Sequence, residues 1–397
     1  MDIRIFPGKL QGNIDAIPSK SQAHRLLICS AFADKETDLI CPDTNRDIEA
    51  TAGCLRSLGA DIQRTDRGYR VKPIEKLPNS ATLNCEESGS TLRFLLPIAG
   101  ALGVDTTFRM SGRLPYRPLS PIWEEMERMG CLLSRPTETT IRCCGRLQCG
   151  AFQIDGGVSS QFITGLLFAG ALMDGTSRIS ITGVLESRPY VDMTLDALAL
   201  FGIAVKDFSV TGGTFVSPGE ISVEGDWSNA AFFLAAKALG SNITVGNLNF
   251  SSSQGDMACS ELFEQLRENI TVACGDIPDL VPILSVVAAA NRGATFINIR
   301  RLRLKESDRV ASVIAMLSAL GCQATATDDT LTIMPGIFSG GTVDACGDHR
   351  IAMSAAIAAT VADAPVTIVG AECVSKSYPG FWEEYKRLGG QYELNIR

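Results

Sequence analysis

Two carboxylates in this chain stand among cations: Asp279 in Ile277-Pro278-Asp279, and Glu306 in Lys305-Glu306-Ser307-Asp308-Arg309. That company suits proton transfer on an anionic substrate, since cations hold the substrate while an acidic group moves the proton. More cations recur at the openings of apolar, helix-length stretches. Pro18-Ser19-Lys20-Ser21 is followed by Arg25, and Glu87-Ser88-Gly89-Ser90 by Arg93; Ser159-Ser160-Gln161 and Asp348-His349-Arg350 open two further stretches. Free backbone N–H groups, the positive end of a helix dipole, hydroxyls and a cation together favour an anion. Plain capping by Ser or Asp accounts for any one of these openings. Three of the four carry Lys or Arg, and cations beside apolar helices are unfavourable unless something anionic compensates. Arg113 and Arg117, Arg188, the run Arg300-Arg301-Leu302-Arg303-Leu304-Lys305 and Lys376 add more positive charge than a monoanion requires. Alone, the Arg300–Arg309 run reads as a solvated face; its mixture of Lys, Glu and Arg before an amphipathic helix suits phosphate binding with proton transfer. His349 reads equally well as structural, because Arg350 can hold an anion by itself.

The elements that must position these residues repeat. Apolar stretches occupy His24–Ala33, Thr91–Leu102, Gln161–Met173, Asn229–Gly240, Asp279–Ala290 and Arg350–Ala362, starting 67, 70, 68, 50 and 71 residues apart. One supersecondary unit reused about six times fits this spacing, the short step marking a degenerate copy. Second, amphipathic helices such as Trp123–Met129 and Arg309–Leu320 stop at Leu58-Gly59, Met129-Gly130, Phe201-Gly202, Leu320-Gly321 and Leu388-Gly389, where glycine fits a left-handed residue after the helix. Runs such as Thr295–Ile299, Thr330–Ile333 and Val366–Val369 read as strands. Each unit is then βαβαββ, with the first helix buried and the second outside. The apolar stretches fall short of the about 20 residues needed to span a bilayer.

At 397 residues the chain is long enough for two domains. A net charge of −8 argues against nucleic acid as a partner. The start of the chain is strand-like, Ile3–Phe6, and lacks the pattern of a signal peptide, so a cytoplasmic location is expected. The 13 cysteines include no Cys-x-x-Cys pair and only two histidines accompany them, so reduced, buried thiols are expected and no metal. There is no P-loop, Gly-x-Gly-x-x-Gly or Gly-x-Ser-x-Gly motif, and Gly156-Gly157 and Gly212-Gly213 read as turns. No nucleotide or redox cofactor is expected.

In their order, Pro18-Ser-Lys20-Ser21-x-x-x-Arg25, Ser88-Gly89-Ser90-x-x-Arg93, Arg117-Pro118, Ser159-Ser160-Gln161, Ser187-Arg-Pro-Tyr190, Ile277-Pro278-Asp279, Lys305-Glu306-Ser-Asp-Arg309, Asp348-His349-Arg350 and Lys376 resemble the EPSP synthase (3-phosphoshikimate 1-carboxyvinyltransferase) family from end to end. The resemblance implies a two-lobed inside-out α/β barrel of six βαβαββ repeats, three per lobe. Residues 1–18 and 227–397 would form one lobe and residues 19–226 the other. It implies transfer of the enolpyruvyl group of phosphoenolpyruvate to the 5-hydroxyl of shikimate 3-phosphate, with no metal or cofactor, by a monomer. Lys20, Ser21, Arg25, Ser159, Ser160, Gln161, Ser187, Asp279 and Lys305 would hold shikimate 3-phosphate, with Tyr190 against its ring. Lys20, the Gly89 backbone, Arg117, Gln161, Arg309, Arg350 and Lys376 would hold phosphoenolpyruvate. Asp279 would be the base and Glu306 the acid, with Lys20 close to both substrates. Glu87 and Arg301 depart from the commonest pattern, in which Asn stands at those places, and this puts peripheral substrate contacts in question.

Two other readings remain open at this level. The related transferases acting on UDP-N-acetylglucosamine carry Lys-Asn where this chain has Lys20-Ser21, and a cysteine in a loop near Arg113–Arg117; here none lies between Cys85 and Cys131. An inert anion-binding protein would need the cations but would gain nothing from Asp279 and Glu306 beside them.

Overall fold

Each of the six apolar stretches is a helix whose side chains are almost all buried in the computed structural model, which describes residues 1–395. The helices run Lys20–Ala31, Gly89–Leu102, Ser160–Leu172, Trp227–Ala238, Val281–Ala290 and His349–Ala359. The first begins four residues before the apolar run, because Ser19 caps it by accepting from the Gln22 N–H, 3.4 Å. Lys20 and Ser21 therefore belong to its first turn. The fifth begins later than the pattern suggests: Pro282 stands in its opening turn, leaving Asp279 in the preceding tight turn. The Arg300 run is not an open loop, for Arg300–Leu304 winds into a short 3₁₀ turn before the Arg309–Ala319 helix.

Sheets follow the repeat. Across the Gly89–Leu102 helix, strand Ser80–Asn84 pairs in parallel with Asp105–Arg109; the Ile122–Arg128 helix then leads into a hairpin, Cys131–Thr137 with Thr140–Gly145, whose second strand pairs antiparallel with Asp105–Arg109. Five of the six sheets have this four-stranded order. The sixth holds only Gln11–Asp15 and Asn242–Gly246, in parallel. Its second helix, Cys259–Gln265, passes straight to Ile270–Ala273, the first strand of the next repeat, and the absent hairpin explains the short step in the sequence. All five Leu-Gly-like stops have positive φ at glycine, from 80° to 112°, a conformation that costs other residues about 1 kcal/mol.

The chain divides into two units, Pro18–Glu224 and Met1–Ile17 with the chain from Gly225 onward. Each has its own core: Leu27, Phe94, Phe162 and Phe168 lie in the first, Trp227, Phe232, Ile283 and Ile351 in the second. In the first unit, Glu220–Ser222 supplies the leading strand of the first repeat, beside Thr37–Ile40. In the second, Asp2–Phe6 lies between Val366–Val369 and Gln391–Asn395, antiparallel to both. Nine of the 13 cysteines are buried and all have free thiols. Among the described residues no helix is long and apolar enough to cross a membrane.

Candidate active site

In the unit from Gly225 onward, three of the expected cations, Arg309, Arg350 and Lys305, lie against Asp279. Arg309 Nη1 donates to its Oδ1 at 2.6 Å, Arg350 Nη2 to its Oδ2 at 2.9 Å, and Lys305 Nζ lies 3.4 Å away. Burial alone would push the Asp279 carboxyl up, but Arg350, Lys305 and Arg309 together hold it well below the usual carboxylate range. Arg309 is the hub, because its Nη2 also donates to Glu306 at 2.8 Å and its Nε to Asp348 at 2.8 Å. Planar and forked, a guanidinium offers five N–H donors in a fixed geometry, so Arg309 can hold three carboxylates in set directions. Asp348 has two duties: its Oδ1 caps the His349 helix by accepting from the Arg350 N–H, 3.0 Å, while its Oδ2 receives Arg309 and the Ser307 hydroxyl. His349 is buried beside it. Lys376 ends the Ala371–Lys376 3₁₀ turn, beside the half-buried Cys373 thiol, which desolvation first and then Asp348 push up against the opposing effect of Lys376.

Burial lowers the Lys305 ammonium to about 8, against the pull of Asp279. If Lys305 binds an anionic substrate in its charged form, kcat/KM should fall along a limb near pH 8 as pH rises. Lys305→Arg, always charged, should move that limb upward by about one unit or more; an unmoved limb would assign it to another group.

The unit Pro18–Glu224 carries the other motifs. Lys20 Nζ meets Asp47 Oδ2 at 3.1 Å, both largely buried. Arg25, 1% exposed, spends its fork on the protein, with Nε to Thr194 Oγ1 at 2.8 Å, Nη1 to the Ser21 carbonyl at 2.5 Å and Nη2 to the Tyr190 carbonyl at 2.6 Å. Burial brings it down to about 10. It thus ties Ser21 to Tyr190 across two helices. Gln161 is held from both sides: its Oε1 accepts from Arg93 Nη1 at 2.8 Å and its Nε2 donates to Ser90 Oγ at 3.0 Å. Gly89 lies under two guanidiniums, since a Cβ there would stand 2.7 Å from Arg117 Nη1 and 3.1 Å from Arg93 Nη1. Arg117 Nε is buried with no hydrogen-bond partner among the described residues. Ser159 caps the Ser160 helix by accepting from the Gln161 N–H, 3.3 Å. Ser187 has φ +57°, a left-handed conformation costing about 1–2 kcal/mol for a non-glycine residue. The helix Arg188–Leu200, bearing Tyr190, follows at once. The Glu87 carboxylate stands over Gly112, which has φ +55° and precedes Arg113.

Neither Asp47 nor Asp256 is marked by the sequence. Asp47 looks like an ordinary first-turn acid after the Asn45 cap, and only tertiary packing brings it to Lys20. Asp256 is buried, accepts the Ser228 hydroxyl, and is pushed up to about 7, first by burial and then by Asp279. No periodicity marks it. Arg93 was visible as a motif residue but not as the holder of Gln161.

Comparison with known proteins identifies the family. The family model for EPSP synthase (3-phosphoshikimate 1-carboxyvinyltransferase) matches residues 6–276 and 260–385. Proteins named 3-phosphoshikimate 1-carboxyvinyltransferase from Clostridium perfringens and Clostridium kluyveri are 40% and 37% identical to this chain, covering 97% and 98% of it and 98% of each relative. The solved EPSP synthase from Acinetobacter baumannii superposes with a TM-score of 0.81 at 24% identity, covering 99% of this chain and 100% of that one. The enolpyruvyl transferase NikO from Streptomyces tendae shares the fold at a TM-score of 0.78 and 16% identity, covering 99% of this chain and 98% of that one. By sequence along nearly its whole length, this chain belongs to the EPSP synthase family.

Proposed function

We infer that this chain transfers the enolpyruvyl group of phosphoenolpyruvate to the 5-hydroxyl of shikimate 3-phosphate with release of phosphate, a step of aromatic amino-acid biosynthesis. Within a member of this family, the observation that carries the reading is a single carboxylate, Asp279, fixed on Arg309, Arg350 and Lys305. Both substrates bear a phosphate and a carboxylate, so cations must bind them and an acid–base group must act among those cations. The hydroxyl oxygen bonds to the central carbon of the enol phosphate and loses its proton, while the methylene carbon gains one. Phosphate then leaves, and the carbon that gained a proton gives one up to restore the double bond. Asp279 takes the hydroxyl proton on this reading, and Glu306 or Lys20 serves the methylene carbon. Phosphate release from phosphoenolpyruvate tests the assignment: it should require shikimate 3-phosphate, and release with UDP-N-acetylglucosamine instead would overturn it. On this reading the enzyme works in the cytoplasm as a monomer, with no nucleic acid or membrane as partner. Light scattering across a concentration series tests the monomer.

Arg350, Arg309, Lys376, Arg117, Gln161, Lys20 and the Gly89 backbone hold phosphoenolpyruvate in this assignment. Shikimate 3-phosphate is held by Lys20, Ser21, Arg25, Ser159, Ser160, Gln161, Ser187, Asp279 and Lys305, with Tyr190 along its ring. Arg350→Lys keeps the charge but removes the fork. Its KM for phosphoenolpyruvate should rise by about tenfold or more, the value of one charge-assisted hydrogen bond, and far more than that for shikimate 3-phosphate. Equal rises would count against the division. Gly89→Ala should raise the same constant by about 5- to 100-fold, because the new methyl forces the Arg117 and Arg93 guanidiniums to move. Unchanged binding would make Gly89 only a turn residue.

A further inference from the structure

A line of four fully buried polar side chains runs beside the Gly89 helix and takes no part in the chemistry above. His24 Nδ1 is 2.7 Å from Thr51 Oγ1, Thr51 Oγ1 is 2.7 Å from Thr91 Oγ1, and the Thr91 hydroxyl donates to Ser88 Oγ at 2.7 Å. All four residues are 0% exposed. They come from three helices: His24 from Lys20–Ala31, Thr51 from Arg46–Ser57, and Thr91 with its cap Ser88 from Gly89–Leu102.

Proton counting orients the line. The one Thr91 hydroxyl proton goes to Ser88, so Thr51 must donate to Thr91. Thr51 then has no proton left for His24, which must donate from Nδ1. That leaves Nε2 as a bare acceptor, and it is buried without a partner among the described residues. Protonating it would place an N–H where nothing accepts, beside the Phe94 ring and on the same helix as Lys20 and Arg25. Burial first, then those two cations against the opposing pull of Asp47, bring His24 down to about 3. The line is therefore neutral with a fixed direction throughout the working pH range.

Its placement matters more than its charge. Lys20 and His24 are one turn apart on their helix, and Asp47 and Thr51 one turn apart on theirs, so Lys20–Asp47 at 3.1 Å and His24–Thr51 at 2.7 Å are successive rungs between the same two helices. Thr51 then extends the second rung to the third helix. Ser88, at the far end, also accepts the Thr91 N–H at 3.2 Å and so fixes the first turn in which Gly89 lies. A buried hydroxyl with all its partners in place holds its neighbours tightly, because each broken contact leaves a desolvated polar group.

We propose that the His24–Thr51–Thr91–Ser88 relay sets the position of the Gly89 backbone relative to Lys20, and that Thr51 is a positioning residue for phosphoenolpyruvate. The proposal rests on the assignment of Gly89 and Lys20 to that substrate. Thr51→Val keeps the shape and removes the central hydroxyl. KM for phosphoenolpyruvate should rise about 3- to 20-fold, the effect of losing one buried hydrogen bond, and that for shikimate 3-phosphate should change less than about twofold. Thr51→Ser should restore both. A hydroxyl needed only for folding would lower the melting temperature and leave the ratio of the two constants unmoved, which would overturn the proposal, as would equal rises in both. Should Thr51→Val fail to fold, Thr91→Val and Thr51→Ala interrupt the same line and must produce the same split; its absence in them rejects the relay. Gly89→Ala separates the two levels. If it raises KM for phosphoenolpyruvate while Thr51→Val does not, the relay alone falls; if Gly89→Ala is silent, the assignment falls and takes the relay with it.

Discussion

Asp279→Asn is expected to lower turnover by about 10²–10⁴ while both substrates still bind. Asparagine keeps the size and one acceptor oxygen, so one of Arg309 and Arg350, which reach different oxygens of Asp279, retains a partner, but it cannot take a proton. The cations hold the Asp279 carboxyl well below the usual range, so it is ionised at every pH at which the enzyme is assayed. A carboxylate so strongly paired is a weak base. Phosphoenolpyruvate, with four or more anionic oxygens, competes for the same guanidiniums, and each contact it takes returns proton affinity to Asp279. The variant should therefore lose kcat, while KM for phosphoenolpyruvate stays equal or falls, because three cations have lost a competing charge. Single-turnover measurement of phosphate release separates the two effects. Turnover within about threefold of wild type would remove Asp279 from the role of base.

The second large effect is expected at Arg309, 1% exposed and shared by three carboxylates. Arg309→Met fills the space but leaves Asp348, which is 0% exposed, without its counter-charge. Removing one partner of a buried pair costs about 3–5 kcal/mol, or roughly 6–20 °C in melting temperature for a unit of this size. The pH dependence carries a sign. In the wild type, burial would raise the Asp348 carboxyl and Arg309 more than offsets it, so the folded value lies below the ordinary one. Its contribution is intact above about pH 4 and lost as pH falls through the lowered value. Without Arg309 burial wins, the folded value rises above the ordinary one, and protonation relieves the variant. Its deficit in melting temperature should accordingly shrink between pH 7 and pH 5, while the wild type barely changes. A deficit under about 2 °C at pH 7 would show that the three carboxylates are held by other groups.

Much of this arrangement is legible in the residues. The six apolar runs forecast six buried helices, because a helix apolar on all sides has nowhere to lie but inside. Glycine after Leu, Met or Phe forecast five helix stops, because few other residues take a left-handed backbone cheaply. Even the degenerate repeat showed in its short step. Where helices begin was less legible: Lys20 lies inside its helix, since Ser19 supplies a cap that hydrophobic periodicity does not register. Pairing was the least legible. The cations at Lys20, Arg25 and Arg309 stand out as anion binders, yet they hold Asp47, the Ser21 and Tyr190 carbonyls, and Asp279 with Glu306 and Asp348. Such contacts join residues as far as 169 positions apart, as between Arg25 and Thr194. Spacing along one helix says nothing about them.

The strand Asp2–Phe6 imposes an order on biosynthesis. It leaves the ribosome long before either of its neighbours, Val366–Val369 and Gln391–Asn395. The unit Pro18–Glu224 has every one of its strands once residue 224 is made, and its sheets can close while translation continues. The other unit must keep two short segments, Asp2–Phe6 and Gln11–Asp15, unpaired until their partners arrive. At roughly 5–20 residues per second, that wait lasts tens of seconds for Asp2–Phe6. Nascent chains halted before Val366 should thus present a folded, protease-resistant inner segment and a leading end still open to cleavage or to chaperones.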